Sequence, residues 1–327
     1  MVSGVLLMIF AVGEVLIDFI AVEEADLRDV KTFEKHPGGA PANMVVGLRR
    51  LNVPSGLISK VGRDDFGEFL VGRLREEGVD TRYVVYDDER NTGVVFVQLK
   101  QAEPSFLLYD QVAYFNLRVD EVDKSFLDEA DLLHFGGVLL AREPSRSTSL
   151  ELARMARSRK LPTSFDVNIR PNLWRGRFDE LIRCVKDALG CADIVKLGRG
   201  EKRFLEENGV DLEDFDVKLV AVTKGREGSE LIHGGTSVSV PAYRVKAIDP
   251  TGAGDAYMAA LLASLYSMGK LRDLTLDERE LRLAGRFANI VAALSTTRRG
   301  AWSVPEIRSL TGIDEVKPIV EKLAASR

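Results

Sequence analysis

Two periods of hydrophobic spacing succeed one another along this chain. LLMIFAVG (6–13) is an unbroken apolar run, the mark of a strand covered on both faces. The spacing then predicts a helix over 40–52, a strand GLISKVG over 56–62, and a helix over 64–77 with Phe66, Phe69, Leu70 and Leu74 on one face. The alternation resumes with DLLHFGG (131–137), a helix over 144–159, PTSFDVN (162–168), a helix over 177–190 and DIVKL (193–197). A helix over 200–208, KLVAVT (218–223) and a helix over 277–296 follow, and GAWSVPEI completes the pattern. Repeated strand–helix units predict an α/β fold, a mainly parallel sheet with helices on both faces. All of 1–327 reads as a single domain.

Two stretches break the rhythm. EVLIDFIAV (14–22), and then TGVVFVQLK, PSFLLYD and AYFNLRV from 92 onward, read as strands with no helix between them. Insertions at about 14–35 and 92–118 are expected to meet as one small projecting sheet, a lid. Its strands carry apolar residues at successive positions, more than a half-solvated sheet needs. That predicts burial of the second face against another copy of the chain.

Composition excludes several classes. A net charge of −5 argues against a nucleic-acid coat or a polybasic membrane anchor. Cys184 and Cys191 fall seven apart on one predicted helix, too far to bridge, so no disulfide framework is implied. The apolar start carries Glu14 and Asp18 and lacks a basic leader and a small-residue cleavage site, so no signal or membrane segment is expected. These features together suggest a cytoplasmic protein.

Chemistry enters at DPTGAGDAYMAALLASL (249–265), where glycines stand between two aspartates at the start of a helix. There is no GxxxxGK[ST], no HRD or DFG, and the first strand leads into GEVLID and not GxGxxG. A helix start offers unpaired N–H groups and the positive end of the macrodipole, and glycines let an anion reach them. Asp255 beside such an anion is explained if it must accept a proton there, as phosphoryl transfer to an alcohol requires. A tight strand-to-helix turn is the other reading. KHPGGAPANMVVGL (35–48) is a second glycine cluster at a helix mouth, with Asn43 in the first turn. An amide that both donates and accepts suits a polyol ligand, although an ordinary capping loop has the same form.

GGAPANMVVGLRRLNVPSGLISKVGRDDFGEFL (38–70) resembles the N-terminal signature of the PfkB, or ribokinase-like, carbohydrate kinases. DPTGAGDAYMAALL (249–262) resembles their C-terminal signature, and TSFDVNIRPNLW (163–174) echoes a third segment. The resemblance implies a ribokinase-like (Rossmann-like) domain with a β-sheet lid, transferring the γ-phosphate of ATP to a sugar or nucleoside hydroxyl. It implies that Asp255 deprotonates the acceptor, with Gly252, Ala253 and Gly254 supplying anion-hole amides. Asp18, Gly38, Gly39 and Asn43 match acceptor-binding positions, and Arg170 a basic position near the sugar and the transferred phosphate. Thr223, Gly225, Gly228 and Asn289 match the nucleotide side. Glu201 matches the acid of an NxxE motif that organises Mg²⁺ through water, with Gly198 standing where the family has Asn. Asp249, Ser303 and carbonyls near Arg298 and Gly300 match ligands for K⁺. Related kinases commonly pair through the lid, which implies a homodimer.

GGVLLAREPSRSTSLE (136–151) and SFDVNIRPNLW (164–174) look most like fructokinases, and next like 2-keto-3-deoxygluconate kinases. Ribose, nucleosides, or a catalytically silent sugar-binding role on the same fold are the alternatives. Phe106 and Tyr109 on the lid strand are expected sugar contacts. Asp110 follows them where both subfamilies often carry Arg. If it faces the pocket, a sugar acid ~6 Å away is repelled by ~3 kcal/mol at an effective dielectric of ~20. A neutral sugar is therefore expected to be preferred, with Asp110→Arg narrowing the gap; an Asp110 that points to solvent has no such effect. His36 is expected at the surface and Trp302 as a packing anchor, with Trp174 packed or walling the sugar pocket.

Overall fold

The first apolar run folds as β1 (Met8–Val12), a strand buried inside a nine-stranded sheet. Ile9 and Ala11 enter one hydrophobic core and Phe10 and Val12 another, because successive side chains point to opposite faces. The computed structural model describes residues 7–100 and 103–326. The next strands are β2 (Leu16–Ala21), β3 (Phe33–Gly38), β4 (Ser55–Gly62), β5 (Val84–Asp87), β6 (Val94–Lys100) and β7 (Glu103–Leu108). They are followed by β8 (Ala130–Gly136), β9 (Thr163–Asp166), β10 (Ile194–Gly198), β11 (Leu219–Thr223), β12 (Ser229–His233) and β13 (Thr236–Val240). The helices are α1 (Ala40–Arg50), α2 (Asp65–Glu76), α3 (Phe126–Glu129), α4 (Ser145–Ser158), α5 (Phe178–Leu189) and α6 (Arg199–Glu207). The last three are α7 (Ala253–Met268), α8 (Glu278–Ser295) and α9 (Lys317–Ala325).

The main sheet runs β13-β12-β11-β10-β9-β8-β1-β4-β5. It is parallel except for the hairpin edge, where β12 pairs antiparallel with both β11 and β13. Helices α1, α7, α8 and α9 contribute to one core and α4, α5 and α6 to the other. Helix α7 has no polar face from Ala256 to Leu265, as a helix enclosed by others requires. It packs close to α1, where a Cβ on Gly47 would fall 2.9 Å from that of Ala259. No helix among the described residues is long and apolar enough to cross a membrane.

The two interruptions do meet as one sheet, of order β3-β2-β6-β7. Both of its faces find partners within the chain. Leu16, Ile20, Val95 and Val97 join one core, while Phe19 stacks on Phe96 at 5.4 Å and meets Phe66 of α2 edge-on at 5.7 Å. Part of the second apolar face is thus covered by α2 and not by another copy.

Three expectations need correction. AYFNLRV is not a strand: Ala113–Asn116 is a 3-10 turn, and Val119–Glu121 another. The backbone closes on itself there, Phe115 N–H donating to the Val112 carbonyl at 3.2 Å, and Asn116 is tied to Asp87 at 2.8 Å. The first lid segment reaches Gly38 through β3, beyond the expected limit. Cys191 lies past the end of α5; both cysteines are buried and free.

Candidate active site

The glycine loop and α7 begin at the carboxyl ends of the parallel strands, where open α/β sheets bind ligands. Asp249 braces the turn: its Oδ1 accepts from Thr251 N–H and its Oδ2 from Gly300 N–H, both at 2.9 Å. Gly252 is the N-cap with φ +76°, and a Cβ there would lie 2.9 Å from Ala301. No side chain caps α7, so its first turn keeps amides for an anion. Gly254 has a different reason to be glycine. Its backbone is helical, and a Cβ would sit 2.9 Å from Nζ of Lys196. The second glycine makes room for an ammonium.

That ammonium is buried and paired with Asp166 at 2.8 Å. Burial works against its charge, but Asp166, Glu201 and Asp255 outweigh this and hold Lys196 above its ordinary pKa. A cleft of about 430 Å³ opens between the loop and the lid, lined among others by Glu14, Asp18, Asn43, Arg170, Lys196 and Asp255. Asp255 is reached from the cleft but sits deep in the chain. Burial pushes its pKa up to about 6, against the pull of Lys196, with Asp166 adding to the rise. Its Oδ2 accepts from Asn43 Nδ2 at 2.7 Å, and Asn43 Oδ1 accepts from the Trp302 indole at 2.9 Å. Glu14 and Asp18 are both pushed up to about 7 by burial, and Asp255 pushes each the same way. Oε1 of Glu14 accepts from Ala40 N–H at 2.9 Å. The other glycine pair fits this acid corner closely. Gly39 has φ +102°, and a Cβ on Gly38 would fall 2.0 Å from Oδ2 of Asp18.

The model of the pfkB family of carbohydrate kinases matches residues 6–307. The chain belongs to that family. The kinase is 50% identical to an uncharacterized sugar kinase of Pyrococcus horikoshii over 313 residues, 96% of this chain and 97% of that one. The solved structure of that protein in complex with ATP superimposes with a TM-score of 0.88, at 48% identity, covering 95% of this chain and 100% of that chain. Fructokinase-1 of Zea mays is 34% identical, with 96% of this chain and 98% of that one covered. The structure of a Xylella fastidiosa fructokinase with bound ATP has a TM-score of 0.84 at 28% identity, covering 97% of this chain and 99% of that chain. The protein is a sugar kinase of the ribokinase-like fold, and so a phosphotransferase.

In this kinase the cleft gathers Asp18, Gly39, Asn43, Arg170, Gly252, Ala253, Gly254 and Asp255, with Gly38 against Asp18. Thr223 ends β11 beside Gly198 of β10, and Gly225 and Gly228 form the turn into β12. Asn289 on α8 donates to the carbonyls of Val240 and Pro241 at 3.0 and 3.2 Å. None of these four residues, expected on the nucleotide side, lines the cleft. Glu201 caps α6, its two oxygens accepting from Gly198 and Ile169 N–H at 2.7 Å, and burial raises its pKa. Ser303 is buried and donates to the Ser295 carbonyl at 2.8 Å. No cluster of three or more His, Cys, Asp or Glu suited to a metal occurs among the described residues.

Other expectations fail or change. Tyr109 is exposed and does not line the cleft, and the side chain of Phe106 lies outside the described part of the structure. Asp110 does not carry its charge to the cleft, because Arg142 pairs with it at 2.9 Å and neither residue lines that space. Trp174 is fully buried, flanked by the guanidinium groups of Arg146 and Arg177 at 5.7 and 5.1 Å, and so packs without walling the pocket. His36 is half-buried on β3 opposite Asp18. Trp302 is more than a packing anchor, since its N–H is spent on Asn43. Sequence reasoning missed Lys196 and Glu14. A lysine in the buried strand DIVKL and a glutamate in an apolar run were the available signals, since such residues are rarely buried unpaired.

Proposed function

We propose that this sugar kinase moves the γ-phosphate of ATP onto a hydroxyl of a neutral sugar, with fructose the first candidate. The observation that carries this reading is Asp255 at the uncapped start of α7, in one cleft with Glu14, Asp18 and Asn43. Asp18 and Asn43 orient the acceptor, and Asp255 takes the hydroxyl proton as the oxygen attacks the γ-phosphorus. The bond to the β-phosphate oxygen breaks in line, and ADP leaves with the electron pair. Oxygens of the phosphoryl group in transfer face the amides of Gly252, Ala253 and Gly254, and Arg170 and Lys196 add fixed positive charge. Thr223, Gly225, Gly228 and Asn289 form the nucleotide side of this reading. ATP as donor suits a cytoplasmic enzyme.

Mg²⁺ would be held through water at Glu201, and Asp166 Oδ1, buried without a hydrogen-bond partner, is a second hard oxygen in the same acid group. When bound, it neutralises charge on the nucleotide phosphates. Asp249 and Ser303, with carbonyls near Arg298 and Gly300, are the proposed K⁺ ligands, as buried oxygens with lone pairs to spare.

Fructose is favoured over 2-keto-3-deoxygluconate because Glu14, Asp18 and Asp255 line the cleft, while its two cations, Arg170 and Lys196, serve the phosphoryl group in this reading. The fructokinases among its relatives point the same way. ADP release measured over fructose, 2-keto-3-deoxygluconate, ribose and nucleosides is expected to give the highest kcat/KM for fructose or another neutral sugar. A preference for the sugar acid would overturn the substrate, and no release with any acceptor would favour a sugar-binding regulatory protein. With Asp110 already paired to Arg142, Asp110→Arg is now expected to change the fructose-to-acid ratio by less than about threefold.

We also propose a homodimer through the lid. Among the large apolar side chains exposed on the described surface, Val22, Leu107 and Tyr109 belong to it. Light scattering at micromolar concentration is expected to give twice the chain mass, and a monomer would contradict the pairing.

A further inference from the structure

Trp302 is held from several sides. Its carbonyl accepts from Arg50 Nη1 at 2.8 Å, and Arg50 is locked to Glu77 through Nε at 2.8 Å and Nη2 at 2.5 Å. On either side of it in the chain, Gly300 is tied to Asp249 and Ser303 to the Ser295 carbonyl. From this braced loop the indole Nε1 reaches Asn43 Oδ1 at 2.9 Å, and Asn43 Nδ2 reaches Asp255 Oδ2 at 2.7 Å. An indole N–H can only donate, so it admits one orientation of the carboxamide: oxygen toward Trp302, NH₂ toward Asp255. Without that donor the amide can turn over whenever Asp255 is protonated, and its oxygen then accepts from the carboxylic O–H and favours the uncharged form.

We propose that Trp302 is a positioning residue of the phosphoryl transfer: it fixes the Asn43 amide so that its NH₂, and not its oxygen, always meets Asp255. This rests on Asp255 being the base, as proposed above. A hydrogen bond donated to a carboxylate favours its charged form, so the relay holds the base ready at lower pH. The other groups that act on Asp255 are Lys196 of β10, Asp166 of β9, Arg170 beyond β9, and Glu14 and Asp18 at the lid. All of them remain when only the indole is changed. The loop that carries the buried Ser303, and that Asp249 holds at Gly300, therefore reaches the base through two side chains.

The test is the pH dependence of kcat/KM with the best acceptor. Trp302→Phe keeps an aromatic ring and removes the donor. Its acid limb is expected to move up by about one pH unit, the value of one hydrogen bond to a charged group. In an Asn43→Ala background the same change is expected to add no further shift, because the relay is already cut. Profiles that coincide with the parent, or an equal shift in both backgrounds, overturn the proposal. Should Trp302→Phe fail to fold, the unaltered enzyme still answers. Its Trp302 indole N–H resonance is expected to titrate with the midpoint of the acid limb, and to lose that titration in Asp255→Asn. A resonance that does not move over roughly pH 5 to 8 overturns the relay. Failure of the base assignment looks different: Asp255→Asn would then keep its turnover.

Discussion

Replacing Asp255 with Asn is expected to lower kcat by at least ~10²-fold and to leave sugar binding nearly intact. The substituted amide keeps the size of the side chain, and its oxygen still accepts from Asn43 Nδ2, now at 2.7 Å from the carboxylate. The site would stay assembled and only the proton acceptor would be lost. Such a loss falls on the chemical step, so kcat drops while KM for the sugar does not rise in proportion. The pH profile supplies a second check. Asp255 lies at about 6, raised first of all by burial, so the base is ionised above that value and protonated as pH falls through it. Glu14 and Asp18, at about 7 in the same cleft, take up protons first on the way down. The three acids titrate as a coupled set, and the acid limb of kcat/KM is expected to be broader than a single ionisation. Single-turnover rates and sugar titrations of the variant would measure both effects. Turnover close to the parent would remove Asp255 from the chemistry.

The parallel body was legible because β8, β10 and β11 are short apolar runs set off by helical patterns. What escaped was the periphery. Strand β3 reads FEKHPG, with charges and a proline, and only its pairing with β2 makes it a strand. β12 and β13 form a hairpin at the edge of the main sheet, where a single covered face gives a weaker pattern. The site divides on the same principle. Glycine loops show in a sequence because they relieve close backbone approach, whatever the partner. Lys196 gains its meaning from Asp166, 30 residues away, and from the space left by Gly254. Trp302 gains its meaning from Asn43, 259 residues away. Asp110 shows the reverse error: its charge was legible, but not the Arg142 that pairs with it. Local chemistry can be read from spacing, whereas polar partnership across the fold cannot.

Lys196→Met is expected to be the most damaging single change after loss of the base, and to act in two separable ways. Removing the ammonium leaves Asp166 buried with no counter-charge, and breaking such a pair costs ~3–5 kcal/mol of stability. It also strips a fixed positive charge from the mouth of the anion loop, where Nζ stands where a Cβ on Gly254 would crowd it. Preorganised charge of that kind is worth ~10²–10³ in turnover. The two effects part company in the double variant Lys196→Met with Asp166→Asn. Neutralising both partners removes the stranded charge, so most of the stability is expected to return, as read by denaturant unfolding. Turnover is expected to stay low, because no neutral side chain restores the field on the phosphoryl group in transfer. If the double variant regains both stability and turnover, Lys196 serves the fold alone, and the positive charge for the transfer must come from Arg170 and the α7 amides.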